Sequence, residues 1–119
     1  MTFLKSRASS TLLAIGLGVF CNCANATPLK TLGFDDISCK AWSDSKSDPD
    51  QRSLYIAWIR GLVTGHNYAR PSQQVSEISG NTVENFVNRY CFEHPGGNFV
   101  DAALRLTDQY SGRNSPITK

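Results

Sequence analysis

The residues best able to do chemistry lie close together in the segment YCFEHP, where Cys91 and His94 are three apart. A thiolate and an imidazole at that spacing supply half of a tetrahedral zinc site, or a nucleophile beside its base. A zinc site needs about four ligands at suitable spacing. Only Cys39 and His66 remain as thiol or imidazole ligands, they fall in separate elements, and neither brings a second closely spaced pair. A Cys91 nucleophile would have to be free, which leaves Cys39 unpaired as well. The third reading joins Cys91 to Cys39 and leaves His94 as a helix C-terminal residue, where the macrodipole favours positive charge. His66, near the end of a long helical segment, is either a satisfied, partly buried histidine or a group that responds to pH. The acidic stretch DSKSDPDQR fails as a calcium loop, because starting at Asp44 it puts Pro49 where glycine is required and Tyr55 at the final carboxylate. Paired carboxylates, a serine triad and a phosphate-cradling glycine loop are not visible. The chain is therefore expected to be neither an enzyme nor a holder of metal or cofactor.

Compartment chooses among the cysteine readings. Lys5 and Arg7 precede an uncharged, mostly apolar run over 11–20, and Ala24-Asn25-Ala26 follows with small residues where signal peptidase needs them. The run is shorter than the roughly 20 residues of a transmembrane span. Residues 1–26 are read as a signal peptide cleaved after Ala26, which gives a periplasmic protein with no membrane insertion. Cys21 and Cys23 leave with the signal, so residues 27–119 keep Cys39 and Cys91 alone. Two cysteines in an exported chain most simply pair. Closing a loop of about 50 residues contributes about 4 kcal/mol in the chain-entropy model. Removing Lys5 and Arg7 from twelve basic residues leaves ten, against ten acidic ones. A net charge of zero leaves no basic stripe for nucleic acid or an anionic membrane.

The elements that must position these residues are helices. After an extended 27–33, FDDISCKAWSDS predicts a short helix with Asp35 and Asp36 in its first turn. SDPDQRSLYIAWIRGLVTGHNYA predicts the long central helix, capped by Ser47 or Asp48 with Pro49 at the first helical position. Leu54, Tyr55, Trp58, Ile59, Leu62 and Val63 share one broad arc of it, and Arg60 and Thr64 make its polar edge. Ala57, Gly61 and Gly65 form a small-residue stripe at i, i+4, i+8. Apolar or small residues over most of the circumference predict a helix packed on several sides. Each interior glycine is unfavourable by about 1 kcal/mol against alanine, which points to close backbone packing within the fold or between subunits. RPSQQVSEISG reads as the longest loop. NTVENFVNRYCFEH offers a capping box of Asn81 with Glu84 and an apolar face of Val83, Phe86, Val87 and Tyr90. Pro95-Gly96-Gly97 ends that helix, and Phe99, Ala102, Ala103, Leu106 and Tyr110 share a side of the last. The expected fold is all-α: one compact four-helix domain over 27–119, its core at about 34–110, its tail 111–119 frayed, and one disulfide, Cys39–Cys91, as its staple.

Apolar residues placed to be exposed give the functional lead. Phe92 points about 100° away from Cys91 on the same helix, and Val75 and Ile78 fall in the long loop. With Gly61 and Gly65 they form the candidate interaction surface for another protein or a second copy of the chain.

A signal peptide, a cysteine on a short first helix, a central apolar helix, then YCFEHP and a last amphipathic helix resemble the small periplasmic acid-stress chaperones of the HdeA/HdeB group. There a Tyr-Cys-x-x-Asn-Pro segment and a single disulfide tie a compact helical fold; His94 stands here where that family often has Asn. The likeness covers about 34–110, and its specific part is the cysteine spacing and the Tyr90-Cys91-x-x-His94-Pro95 turn. The layout is also similar to Tai-type immunity proteins, periplasmic helical proteins that neutralise toxins, to which YIAWIRGLVTGHN with Trp58, Gly61 and Gly65 is closer. The first resemblance implies a holdase, idle as a folded dimer at neutral pH, that binds unfolded clients when acid loosens it. Protonating ten carboxylates and two histidines takes the neutral chain to about +12, and self-repulsion then opposes compactness. The second implies a dedicated binder of one partner, as would a periplasmic assembly factor.

Overall fold

The computed structural model describes residues 27–111. The expected signal peptide and its expected cleavage after Ala26, together with Cys21 and Cys23, lie outside the described residues, as does the tail beyond Ser111. Four α-helices follow in chain order: α1 Cys39–Asp44, α2 Pro49–Ala69, α3 Gly80–Glu93 and α4 Phe99–Tyr110, with 3-10 turns at Ser45–Ser47 and Pro71–Gln73. Among the described residues there is no strand, and Ser38 and Asn98 form an isolated antiparallel bridge. The domain is small, all-α and closed by the Cys39–Cys91 disulfide.

Each helix starts where a short polar side chain takes up an orphan backbone N–H. Asp48 accepts from Gln51 N with Pro49 following it, as the sequence predicts. Asn98 accepts from Asp101 N. The other two starts differ from expectation. α1 begins at Cys39, capped by Ser38, so Asp35 and Asp36 precede it rather than fill its first turn. The reason is backbone pairing: Phe99 N donates to Ile37 O and Cys39 N to Gly97 O, which holds this stretch extended against the entry of α4. α3 begins at Gly80, with Ser79 Oγ accepting from Thr82 N in place of an Asn81–Glu84 box. Glu84 turns instead towards Arg52.

The core is aromatic at one end and aliphatic at the other. Phe34 stacks on Tyr55 at 4.4 Å between ring centroids, and Phe99 meets Tyr55 edge-on at 4.8 Å. Trp42, Ile59, Val83, Val87, Phe99 and Leu106 are fully buried. The faces predicted for α3 and α4 are the ones buried, with Phe86 and Tyr110 half-buried at their margins. The disulfide joins α1 to α3 with both cysteines inside, Cα atoms 5.2 Å apart.

α2 corrects the expectation of a helix packed all round. Its core residues are Arg52, Tyr55, Ile59 and Val63, while Leu54, Ala57, Gly61 and Gly65 are exposed. The three other helices meet the core face: Trp42 of α1 and Phe99 of α4 pack on Tyr55, and Glu84 of α3 bonds Arg52. Among the described residues nothing packs closely on these glycines: a Cβ added at Gly61 or Gly65 would meet nothing within 4 Å.

Candidate functional site

The Cys91–His94 pair is structural. Cys91 spends its sulfur on Cys39, so it is neither a thiolate nucleophile nor a metal ligand. His94 ends α3: its backbone N–H and its Nδ1 both reach Tyr90 O, at 2.8 and 3.0 Å, and its ring stacks on Tyr90 at 4.4 Å. Gly97 N then donates to His94 O, and Gly97 O accepts from Cys39 N. The Pro95-Gly96-Gly97 turn thus links the end of α3 to the start of α1, next to the disulfide. Gly97 is tightly placed, since an added Cβ would lie 3.1 Å from His94 O. Among the described residues no group of three or more His, Cys, Asp and Glu could hold a metal ion.

His66 belongs to a tie between α2, the following loop and α4. Its Nε2 lies 2.9 Å from Gln73 O and 3.1 Å from Ser111 Oγ, and the Ser111 hydroxyl also reaches Gln73 O at 2.9 Å. A hydroxyl proton directed at a carbonyl is held there rather than offered to the imidazole, so this serine and histidine are a fastening more than a nucleophile and its base. Ser111, read from sequence as the start of a frayed tail, is anchored by it. The next residue, Asn67, clamps the loop, donating Nδ2 to Val75 O and accepting from Val75 N at Oδ1. That clamp explains the principal correction to the candidate surface: Val75 and Ile78 are buried members of the core, not exposed loop residues. The loop lacks regular structure, but its two apolar side chains close the core beneath it.

Gly61, Gly65 and Phe92 are exposed as expected, on two different helices. Phe92 is 87% exposed on α3, flanked by exposed Asn85, Asn88 and Arg89. The glycines belong to a longer strip on α2. Leu54, 59% exposed, begins it, Ala57, Gly61 and Gly65 continue it, and Tyr68, 91% exposed, ends it. The intervals of three, four, four and three residues put all five on one line along the helix, about 21 Å long at 1.5 Å per residue. Leu54 and Tyr68 were missed: the arc containing Leu54 was assigned to the core, and Tyr68 lay beyond it. The 3-4-4-3 spacing was the available signal. At the N-terminal end the strip is broadened by Leu32, 69% exposed, whose carbonyl accepts from Trp58 Nε1 at 2.8 Å. Gly33 makes that approach possible, with φ at +102° and Trp58 3.3 Å from where a Cβ would be.

The residue that sequence reading overlooked altogether is Arg52, 6% exposed. Nε donates to Ser45 Oγ at 2.9 Å, Nη2 to Trp42 O at 2.7 Å, and Nη1 to Glu84 Oε1 at 3.0 Å and Asn88 Oδ1 at 3.3 Å. The guanidinium also lies 3.9 Å over the Trp42 ring. Burial pulls its pKa below the ordinary arginine value, and the charge and hydrogen bond of Glu84 oppose that shift. Its position was legible in principle, since 52, 55, 59 and 63 follow the spacing of a buried helix face.

No helix among the described residues is long and apolar enough to cross a membrane. No family model, no curated protein and no solved structure matches the chain.

Proposed function

We propose that this chain is a non-enzymatic, exported protein-binding domain whose outer α2 strip receives a segment of another protein. The observation that carries this reading is the pair Gly61 and Gly65. Together they weaken α2 by about 2 kcal/mol against alanine, yet among the described residues nothing lies within 4 Å of a Cβ added at either. A glycine without steric work inside the fold is accounted for by a backbone that comes close from outside. Leu54 and Tyr68, at the two ends of the strip, supply apolar and aromatic anchors of the kind that dominate binding energy.

The test uses photocrosslinking residues placed at Leu54 and at Tyr68, with Asn85 on α3 as control. A discrete adduct at the α2 positions, absent at Asn85 and lost when Gly61→Gln fills the strip in a protein that still folds, supports a dedicated binder. A self-adduct identifies the occupant as a second copy. Adducts equally frequent at Asn85 would overturn the assignment to α2.

A second reading, an acid-stress chaperone like those of the HdeA/HdeB group, is favoured by the Arg52 cluster. The carboxylate of Glu84 is the countercharge bonded to a buried guanidinium that ties α1, α2 and α3 together, and acid strong enough to discharge carboxylates in general removes such partners. The consequence would be a loosened but still disulfide-tethered set of apolar helices. Suppression of aggregation of two unrelated clients only below about pH 4, where carboxylates lose their charge, supports this reading, and its absence at every pH removes it.

A further inference from the structure

On the side of α3 and α4 where Arg89 and Arg105 stand, the two helices enclose an open groove of about 520 Å³ lined by Phe86, Arg89, Tyr90, Glu93, His94, Arg105 and Gln109. It contains two arginines, one from each helix. The contacts they make are with aromatic faces: Arg89 lies 5.8 Å from the Phe86 centroid and Arg105 5.4 Å from that of Tyr90. Neither is joined to a carboxylate among the described residues, in contrast to Arg52 and Lys40. A cation–π contact of this kind uses no N–H group, so the donors of both arginines stay open for bidentate bonds to a carboxylate. It also restricts the side chain before any ligand arrives, which lowers the entropy lost on binding.

We infer that this groove is a binding site for an acidic peptide segment, with Arg89 and Arg105 each receiving a carboxylate side chain. Charge sets the sign. The groove holds two guanidinium ions against the single carboxylate of Glu93, within a described part in which eight Lys and Arg stand against ten Asp and Glu. Shape sets the class. From Phe86 to His94 the α3 wall runs about 12 Å, room for three to four extended residues at about 3.3 Å each. Alternate side chains of an extended peptide point the same way, so two acidic residues spaced by one would be about 7 Å apart. His94 completes the rim. Its Nδ1 is committed to Tyr90 O, which leaves Nε2 as a further donor whenever the imidazole is charged. The site does not depend on the reading of α2: it lies on the opposite pair of helices and takes a ligand of different chemistry.

The experiment titrates the ¹⁵N-labelled, oxidised protein with hexaglutamate and follows backbone amides together with arginine Nε–H resonances. Hexaglutamine, citrate and phosphatidylglycerol vesicles are the parallel arms. The expected result is saturable movement of the Arg89 and Arg105 Nε–H signals and of amides near Phe86, Tyr90 and Gln109, weakened by added salt. Arg89→Gln and Arg105→Gln, exposed positions whose loss leaves the core intact, should each weaken hexaglutamate by about threefold to fivefold. Arg60→Gln, on α2, should leave it unchanged. Equal movement with hexaglutamine, binding of citrate as tight as that of the peptide, or response to vesicles alone would each overturn the peptide assignment. So would unchanged Nε–H signals at saturating peptide.

Discussion

Replacing Arg52 by methionine keeps a long side chain against Trp42 while removing the guanidinium and its four bonds. The loss can be worked from the geometry. Ser45 Oγ loses its donor, but Trp42 O does not become an orphan, because the Ser45 hydroxyl still donates to it at 2.6 Å. Asn88 Oδ1 likewise keeps the Trp42 indole N–H at 2.8 Å. The buried Trp42 carbonyl and the amide oxygen of the exposed Asn88 thus stay partly satisfied, which limits their contribution to about 1 kcal/mol together. The guanidinium over the Trp42 ring adds about 1 kcal/mol in a desolvated setting. Glu84, about one-third exposed on its side chain, can turn to water, so the lost ion pair adds about 0.5–1 kcal/mol rather than a full buried-charge penalty. The expected destabilisation is about 2–3 kcal/mol, a fall in Tm of roughly 10–20 °C for a domain of this size. Urea unfolding read by tryptophan fluorescence gives the number. Glu84→Gln, which retains an oxygen near Nη1 but no charge, should cost about 1 kcal/mol. Since Arg52 and Glu84 share a bond, the double variant should fall short of the sum by about 0.5–1 kcal/mol. An Arg52→Met protein within about 0.5 kcal/mol of the parent, or strict additivity with Glu84→Gln, would refute the view that this cluster holds three helices together.

Three further outcomes follow from the same coordinates. Gly61→Ala and Gly65→Ala should each raise stability by about 0.5–1 kcal/mol, visible as a higher urea midpoint, while weakening any partner that lies close to α2; a loss of stability would show that the glycines serve the fold. Reduction of Cys39–Cys91, separated by 52 residues, should remove about 4 kcal/mol by loop-entropy reckoning, checked by urea unfolding with and without reductant. Asp36 has its pKa lowered by the Ser38 hydroxyl first and then by the Ser38 backbone N–H. A lowered folded value means that its contribution is present above the ordinary aspartate range and is lost as pH falls through the folded value. Carboxyl NMR should place the Asp36 midpoint below an ordinary aspartate, and Ser38→Ala should return it upward while also removing the α1 cap that accepts from Ala41 N.

Much of the architecture follows from sequence because local rules suffice for it. Asp48-Pro49 starts α2 through an orphan N–H and a pre-set φ, and the apolar spacing of Val83, Val87, Leu106 and Phe99 marks inward faces whatever they pack against. The cysteine pairing needed only that residues 27–119 carry two cysteines, Cys39 and Cys91. What the sequence by itself could not decide was which of two apolar faces on α2 would be covered. Leu54 and Ile59 are equally apolar, and burial depends on where α1, α3 and α4 return, which is a property of their connections. Val75 and Ile78 were misplaced for the same reason: their burial is imposed by Asn67 eight residues away from Val75, a contact that exists only once the loop has folded back. Arg52 was the reverse case, a charge on the core side of a helix that only Trp42, Ser45, Glu84 and Asn88, brought in from two other helices and a turn, make tolerable. Periodicity identifies which residues share a face; tertiary structure alone decides whether that face meets the core or remains open for another molecule.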